Sequence, residues 1–222
     1  MPRRSYTPVE RQRAVDAGRA RILEAARELL RLDDLAAFSL DAVARRAGVT
    51  RMTVYNQFGS KAGLLEALFD VLVERGAFAE MPAVFMEKDA EAALDAFVGI
   101  FGRFYTDNRP VLWSLAAAAG ADPDLAHAVR ARNALRRRAI EGLLARIGSA
   151  AHPAIPQREL AHTLDVLLGF PTFDAIAGRD RTPNDVVPLM RQMIRALLAI
   201  EPATRPAKAR RGTKATPRRK RS

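Results

Sequence analysis

Apolar residues recur at intervals of three and four along almost the whole chain, and this periodicity is the strongest constraint on its fold. Such spacing places apolar side chains on one face of an α-helix, whereas the period-two alternation of a half-buried strand is absent. The pattern therefore predicts an all-α protein. The predicted helices span 14–31, 39–47, 50–57, 61–78, 89–107, 109–120, 123–149, 157–179 and 183–200.

Several helix boundaries carry recognisable signals. Ser39, Thr50 and Ser60 are candidate N-caps, because a hydroxyl can accept a hydrogen bond from a backbone N–H group that has no helical partner. Pro171 must kink or interrupt the penultimate predicted helix, since proline lacks a backbone donor and clashes with the preceding turn. The proline-containing segment 79–88 is predicted to be a joint between two helical regions.

The positive charge of the chain lies at its two ends. Its 222 residues include 36 Lys and Arg against 25 Asp and Glu, a net charge of +11. Residues 203–222 hold nine basic and no acidic residues, and residues 1–13 hold four Arg against Glu10, so the body of the chain is close to neutral. Basic tails are typical of proteins that bind a polyanion such as nucleic acid. The alternative for the C-terminal tail is a disordered end that only aids solubility.

The composition excludes several kinds of site. The chain has no Cys, which excludes disulfides, thiolate catalysis and thiolate zinc sites. It has three His and no His-Glu-x-x-His run, and we expect no metal and no cofactor. No apolar run approaches the roughly 18 residues of a membrane span, and no hydrophobic segment follows the basic N-terminus as in a secretory signal. We expect a soluble cytoplasmic protein without a membrane partner.

The segment around Gly48 carries most of the functional information. The predicted helix before it has an apolar face, and glycine permits the left-handed backbone that ends a helix and turns the chain sharply. The next helix starts at once at Thr50. Helix, glycine turn and helix within residues 39–57 is the spacing of a helix-turn-helix DNA reader.

The outer face of this second helix distinguishes a DNA reader from an ordinary helical hairpin, which would show the same apolar spacing. Its side chains have polar heads that can hydrogen-bond to base edges and flanking phosphates in the major groove. They are Arg51, Thr53, Tyr55, Asn56 and Gln57.

A longer motif supports this interpretation. The run Ala47-Gly-Val-Thr-Arg-x-Thr-x-Tyr-x-x-Phe-x-x-Lys61 resembles the DNA-binding signature of the TetR family of bacterial repressors, and the resemblance covers about residues 15–70. Met52 stands where small residues are frequent in the family, and Gln57 where His or Tyr is usual. Both positions are expected to face the DNA, so these departures bear on the operator sequence.

The resemblance implies roles for individual side chains. Arg51 is expected to bind guanine O6 and N7, and Met52 to touch a thymine methyl group. Tyr55 and Lys61 are expected to bind phosphate oxygens. The alternative for each is an ordinary packing or surface residue. The expected DNA-binding set is Ser39, Thr50, Arg51, Met52, Thr53, Tyr55, Asn56, Gln57 and Lys61.

The resemblance also implies the domain organisation. In the family the last two helices pair with their copies in a homodimer, and the broad apolar faces of the last two predicted helices agree with this. The implied domains are a helix-turn-helix DNA-binding domain at 14–62 and a helical ligand-binding and dimerisation domain at 63–201. The charge distribution and composition add a basic arm at 1–13 and a disordered basic tail at 202–222.

The C-terminal domain is expected to enclose an apolar pocket for a small ligand. The candidate lining consists of aromatic side chains, with two histidines as polar groups. The alternative for the aromatic residues is ordinary core, and for the histidines a satisfied core or surface position. The candidates are Phe97, Phe101, Phe104, Tyr105, Trp113, His127, His162, Phe170 and Phe173.

These features predict a DNA-binding transcriptional regulator, a repressor that a small apolar ligand releases from a palindromic operator. Its expected partners are double-stranded DNA and a second copy of itself, and its expected location is the bacterial cytoplasm, at the nucleoid. One alternative is a nucleoid-type DNA-binding protein without an inducer. The other is a helical enzyme, but the chain has no Walker A, Gly-x-Ser-x-Gly or Ser-x-x-Lys motif.

Overall fold

The computed structural model describes residues 8–31, 38–74, 76–120, 122–148 and 155–199. Within these ranges the chain consists of α-helices, short 3₁₀ turns and connecting loops, with no strand, so the all-α prediction is confirmed. The predicted tail at 202–222 and residues 1–7 of the predicted arm lie outside the described residues.

The helices follow one another with short connections. They are α1 (Pro8–Arg31), α2 (Leu40–Ala47), α3 (Arg51–Phe58), α4 (Lys61–Glu74), α5 (Met81–Met86), α6 (Ala90–Asp107), α7 (Arg109–Ala119), α8 (Pro123–Ile147), α9 (Gln157–Leu167), α10 (Phe170–Ala177) and α11 (Val187–Ala199). The 3₁₀ turns Ala77–Glu80 and Asn184–Val186 precede α5 and α11.

Several predicted boundaries were wrong, and two of them change the assignment of a whole segment. Helix α1 begins at Pro8 rather than at residue 14, so residues 8–13 of the predicted arm are helical. The predicted joint at 79–88 contains the second half of a 3₁₀ turn and the whole of α5. Proline does not break α5, because it lies in the first turn, where a backbone N–H group has no helical acceptor in any case.

The predicted interruption at Pro171 is confirmed. The single predicted helix 157–179 is divided into α9 and α10, and Gly169 between them has extended backbone. Pro171 lies in the first turn of α10, where proline is tolerated. The final helix is also shorter than predicted, because a 3₁₀ turn occupies residues 184–186.

The first three helices share a small core with the start of α4. Ile22 of α1, Val43 of α2, Val54 of α3 and Leu64 of α4 are all fully buried. Burial of one such side chain stabilises the fold by about 1.5–3 kcal/mol. A further link reaches the rest of the molecule, where the buried hydroxyl of Ser114 in α7 donates to the carbonyl oxygen of α1 residue Leu30 at 2.5 Å.

Helix α6 forms the centre of the C-terminal part and packs against α5, α7, α8, α10 and α11. Its Phe104 meets Phe69 of α4 and Phe78 edge-on, with ring centroids 5.8 and 4.8 Å apart. Gly102 permits a close approach between α6 and α11, since a Cβ atom at this position would lie 2.2 Å from Cγ2 of Val187.

Candidate functional sites

The turn between α2 and α3 is held by side-chain caps at both helix starts. The Ser39 hydroxyl accepts from the backbone N–H of Ala42 at 3.2 Å, and the Thr50 hydroxyl accepts from that of Thr53 at 3.1 Å. Gly48 ends α2 with φ +67°, the left-handed conformation that glycine adopts without strain. The predicted caps are confirmed, and they fix the direction in which α3 leaves the turn.

Helix α3 is anchored on one side and free on the other. Val54 is fully buried, whereas Met52 and Tyr55 are 63% and 54% exposed and Asn56 is also exposed. The Arg51 side chain is 67% exposed and pairs with Asp41 at 3.3 Å. Such an exposed ion pair contributes at most about 1 kcal/mol, so Arg51 can exchange it for a base or a phosphate.

Gln57 does not lie on this free face, which corrects the expectation that it faces the DNA. Its side-chain amide lies against Gly18 of α1, its Oε1 atom is buried, and its backbone carbonyl accepts from the Arg19 guanidinium at 3.4 Å. The helical repeat explains the difference. Gln57 follows Arg51 by six residues, so its side chain leaves the helix about 240° around the axis from that of Arg51, on the side where Val54 is buried. Gln57 therefore positions α3 against α1.

Lys61 lies at the start of α4, between the first three helices and the rest of the molecule. The Ser60 hydroxyl caps this helix by accepting from the backbone N–H of Gly63 at 3.0 Å. The Lys61 ammonium lies 3.7 Å from the Asp122 carboxylate at the start of α8, and 5.5 Å from the ring centroid of Phe38. Lys61 is one of the predicted phosphate contacts, and its ion pair with Asp122 joins the first three helices to the C-terminal part.

A cavity of about 660 Å³ lies in the C-terminal part, between α4, α5, α6, α7, α8 and α10. Its wall is mostly aromatic and aliphatic, with a few charged residues. Five of the nine predicted pocket residues line it: Phe97, Phe101, Phe104, Tyr105 and Phe170.

The other four predicted pocket residues lie elsewhere, which corrects the expectation. Phe173 is fully buried in the core but is not part of the cavity lining. Trp113 is 48% exposed and is not part of the lining, although its ring meets that of the lining residue Phe170 edge-on, at 5.6 Å between centroids. His127 and His162 are exposed. His127 points outward because the neighbouring Ala128 and Val129 occupy the inner face of α8.

The comparisons with known proteins agree with the geometry of the first three helices. The profile of the bacterial regulatory proteins of the tetR family matches residues 22–68. The chain is also 35% identical over 126 residues to the HTH-type transcriptional regulator AlkX of Mycobacterium tuberculosis. Residues 22–68 form a DNA-binding domain of the TetR-family type. The alignment with AlkX covers 55% of this chain and 54% of AlkX, so the chain matches about half the length of this curated relative.

Solved structures extend the likeness of fold to the C-terminal part of the chain. NalD, the secondary repressor of the MexAB-OprM multidrug efflux pump in Pseudomonas aeruginosa, has a TM-score of 0.66 at 21% identity, over 83% of this chain and 97% of NalD. A TetR transcription regulator from Haloarcula marismortui has a TM-score of 0.63 at 17% identity, over 82% of this chain and 97% of that one. At these identities the likeness concerns the fold alone.

The sequence reasoning missed the arginines of α8 that line the cavity, Arg132, Arg136 and Arg138. Arg136 donates to Asp165 of α9 at 2.9 Å and to the Tyr105 hydroxyl at 3.4 Å. No signal along the chain separates these arginines from the other arginines of α8, because only the packing of α8 against α6 and α9 decides which of them face inward.

Tyr105 is the lining residue whose pKa the fold shifts most. Its hydroxyl donates to the carbonyl oxygen of Leu168 at 2.8 Å, and the ring is buried. Burial raises the pKa of Tyr105 to about 12, against the smaller opposing effect of Arg136. The hydroxyl therefore remains a hydrogen-bond donor at neutral pH and holds α6 against the end of α9.

The described residues hold no group of three or more His, Cys, Asp or Glu side chains that could bind a metal ion together. In the same part of the chain, none of the helices combines the length and the apolar character that crossing a bilayer requires.

Proposed function

We propose that this protein is a homodimeric transcriptional repressor that binds a near-palindromic DNA operator through α3 and is released by a small, largely apolar ligand in the α4–α10 cavity. The observation that carries the DNA-binding role is the exposed polar face of α3 on a capped helix-turn-helix. A DNA-binding domain of the TetR-family type supports a regulator rather than an enzyme. AlkX is named a transcriptional regulator and NalD a repressor, which supports the same role here.

The spacing of major grooves in DNA supports the proposed homodimer. Two copies of α3 must enter successive major grooves, roughly 34–36 Å apart on one face of the DNA. A two-fold symmetric protein then requires a near-palindromic site. Val166 of α9 and Leu189 and Met193 of α11 are large apolar side chains that the single chain leaves 56%, 40% and 37% exposed. Contiguous patches of exposed apolar groups are typical of an interface between subunits.

The position of α4 supports the release step. This helix begins at Lys61, beside the reading helix, and its residues Leu65 and Phe69 line the cavity. The volume of about 660 Å³ lies in the range of known small-molecule sites, roughly 300–1,000 Å³. A ligand that displaces α4 would change the position of α3 relative to its copy in the dimer, and this is how occupancy of the cavity would weaken DNA binding.

Selection from a pool of random double-stranded DNA tests the proposal. We expect the purified protein to enrich a near-palindromic sequence with half-sites one helical turn apart, and to repress a reporter gene placed behind that sequence. Arg51→Ala should relax the enriched sequence at one base position of each half-site. Binding that depends steeply on salt but selects no sequence would instead support the nucleoid-type alternative.

A further inference from the structure

The buried end of the α4–α10 cavity is apolar. Its wall includes Leu65, Phe97 and Leu125, each at most 2% exposed. Tyr105 also lines the cavity, but its hydroxyl already donates to the Leu168 carbonyl oxygen and accepts from Arg136. A polar ligand group placed here would lose its hydrogen bonds to water without replacement. The buried end therefore selects an apolar body.

The charged residues on the described lining have a different character. Helix α8 contributes three of them, Arg132, Arg136 and Arg138, whereas the acidic residue on this lining is Glu66 of α4. An anionic ligand group at this side is attracted by the guanidinium groups, and a cationic group is repelled.

The three guanidinium groups differ in what they already bind. Arg136 is held by Asp165, and Arg132 pairs with Asp70. Arg138 is exposed and forms no ion pair or hydrogen bond with any other residue that the structure describes. It is therefore the lining arginine whose whole guanidinium fork is free to bind a carboxylate, sulfate or phosphate with two parallel hydrogen bonds.

The solvent-exposed part of the cavity lining, its mouth, connects the apolar buried end with the arginine side. Leu135 precedes Arg138 by three residues, so both lie on the same side of α8. Leu135 and Phe85 line the cavity and are 50% and 48% exposed, so the apolar lining extends to the solvent at this point. An apolar surface thus runs from the buried wall out to the free arginine.

We propose that this cavity binds an amphipathic anion, with its apolar chain against the buried wall and its anionic head at Arg138. This inference rests on the ligand-responsive function proposed above and specifies the chemical class of its ligand. A neutral molecule of the same shape would gain only an uncharged hydrogen bond from Arg138, and a cationic one would be repelled by it.

Three probes with the same alkyl chain test the class of head group: dodecanoate, dodecan-1-ol and dodecyltrimethylammonium, each below its micelle concentration. Binding to the full-length protein is followed by calorimetry and by fluorescence of Trp113, the only Trp of the chain, which contacts the lining residue Phe170. We expect dodecanoate to bind about 3- to 10-fold more tightly than dodecan-1-ol at low salt, as for a partly solvated charge-assisted hydrogen bond. The ammonium probe should bind most weakly.

A matched pair of variants locates the effect. Arg138→Gln should remove the advantage of dodecanoate over dodecan-1-ol and leave the affinity for dodecan-1-ol unchanged. Arg130→Gln is the control, because Arg130 is exposed on the same helix but does not line the cavity. This control should retain the preference of the wild type.

Three results would overturn the inference: dodecan-1-ol binding as tightly as dodecanoate, equal losses in the two variants, or no binding of any probe by calorimetry. Operator binding measured without any probe keeps this outcome separate from the proposed function. A protein that binds its operator but shows no preference for the anionic probe retains the DNA-binding role and loses only this ligand class.

Discussion

The proposed DNA-reading face and the proposed ligand cavity are built in opposite ways. The reading face consists of side chains within a single helix of eight residues, α3, whose direction is set by local caps at Ser39 and Thr50. The cavity draws its wall from residues 65–171, on six helices and a 3₁₀ turn. One site is a stretch of sequence, and the other exists only after distant helices have packed.

This difference affects how each site responds to substitution. A side chain on the exposed face of α3 has few packing contacts with the rest of the protein. Its replacement should therefore change DNA binding and leave the stability of the fold intact. A residue of the cavity wall also belongs to the core around α6, so its replacement should change binding and stability together. The predictions below test this separation, from the largest expected effect to the smallest.

The largest loss of DNA binding is expected from substitutions far from the reading face. Leu189→Glu combined with Met193→Glu places two charges on the exposed apolar side of α11, the proposed subunit interface. The variant should be monomeric and place only one α3 on the operator. Loss of the second reader should lower operator affinity about 100- to 10,000-fold. Sedimentation equilibrium and operator titration measure the two effects.

Met86→Glu is the control for this pair, because Met86 is 80% exposed on α5, away from α11. It should remain dimeric and bind the operator normally. A dimeric Leu189→Glu, Met193→Glu variant at micromolar concentration would refute the interface.

Within the reading face, Arg51→Ala should cost about 1–3 kcal/mol on the preferred operator and relax selection at one base position. Its stability should stay unchanged, because the side chain is mostly exposed. Competition titrations with single-base operator variants provide the measurement. Equal losses on the operator and on random DNA would contradict a base-reading role.

Lys61→Ala provides the contrast for Arg51→Ala. A phosphate contact carries no sequence information, so this variant should weaken binding to all DNA alike and reduce the salt slope by about one. Titrations over a range of salt concentrations test this, and an unchanged slope would argue against the phosphate contact.

In the C-terminal part, Gly102→Ala should destabilise the fold without involving any DNA contact. The new methyl group would overlap Cγ2 of Val187, which is buried and cannot move aside. Overpacking of this kind costs about 1–3 kcal/mol of unfolding free energy. Gly142→Ala is the matched control, since nothing lies within 4 Å of its new Cβ atom and helix propensity alone should stabilise it by about 0.5–1 kcal/mol. The midpoints of urea unfolding measure both effects. If the two variants shift the midpoint in the same direction and by the same amount, the close approach of α6 and α11 is contradicted.

The smallest effect concerns the ion pair that joins the two regions. Asp122→Asn removes the carboxylate that holds Lys61, while asparagine remains a good cap for α8. The freed ammonium should bind DNA phosphate better, and affinity should rise by up to about 1 kcal/mol at low salt. Asp180→Asn, an exposed acid on the loop after α10, removes the same charge elsewhere. If Asp122→Asn raises affinity equally in a Lys61→Ala background, the ion pair is not the cause.

The fold class and the reading helix could be predicted from the sequence because their signals are local. Apolar spacing marks the inner face of each helix, and the Gly48 turn and the hydroxyl caps act within a few residues of their own positions. The interruption at Pro171 was predictable for the same reason. The extent of α1 and of α5 was not, because prolines in a first helical turn resemble breaks in the pattern.

What only the tertiary structure decided is which side chains share a surface. Gln57 and Asn56 are adjacent polar residues, but one packs against α1 and the other is exposed. Phe170 lines the cavity while Phe173, three residues later, is ordinary core. The arginines of α8 divide between the cavity, Asp165 and solvent according to how that helix is rotated against α6 and α9. The rotation depends on contacts between segments far apart in the chain, and such contacts leave no periodic trace in the sequence.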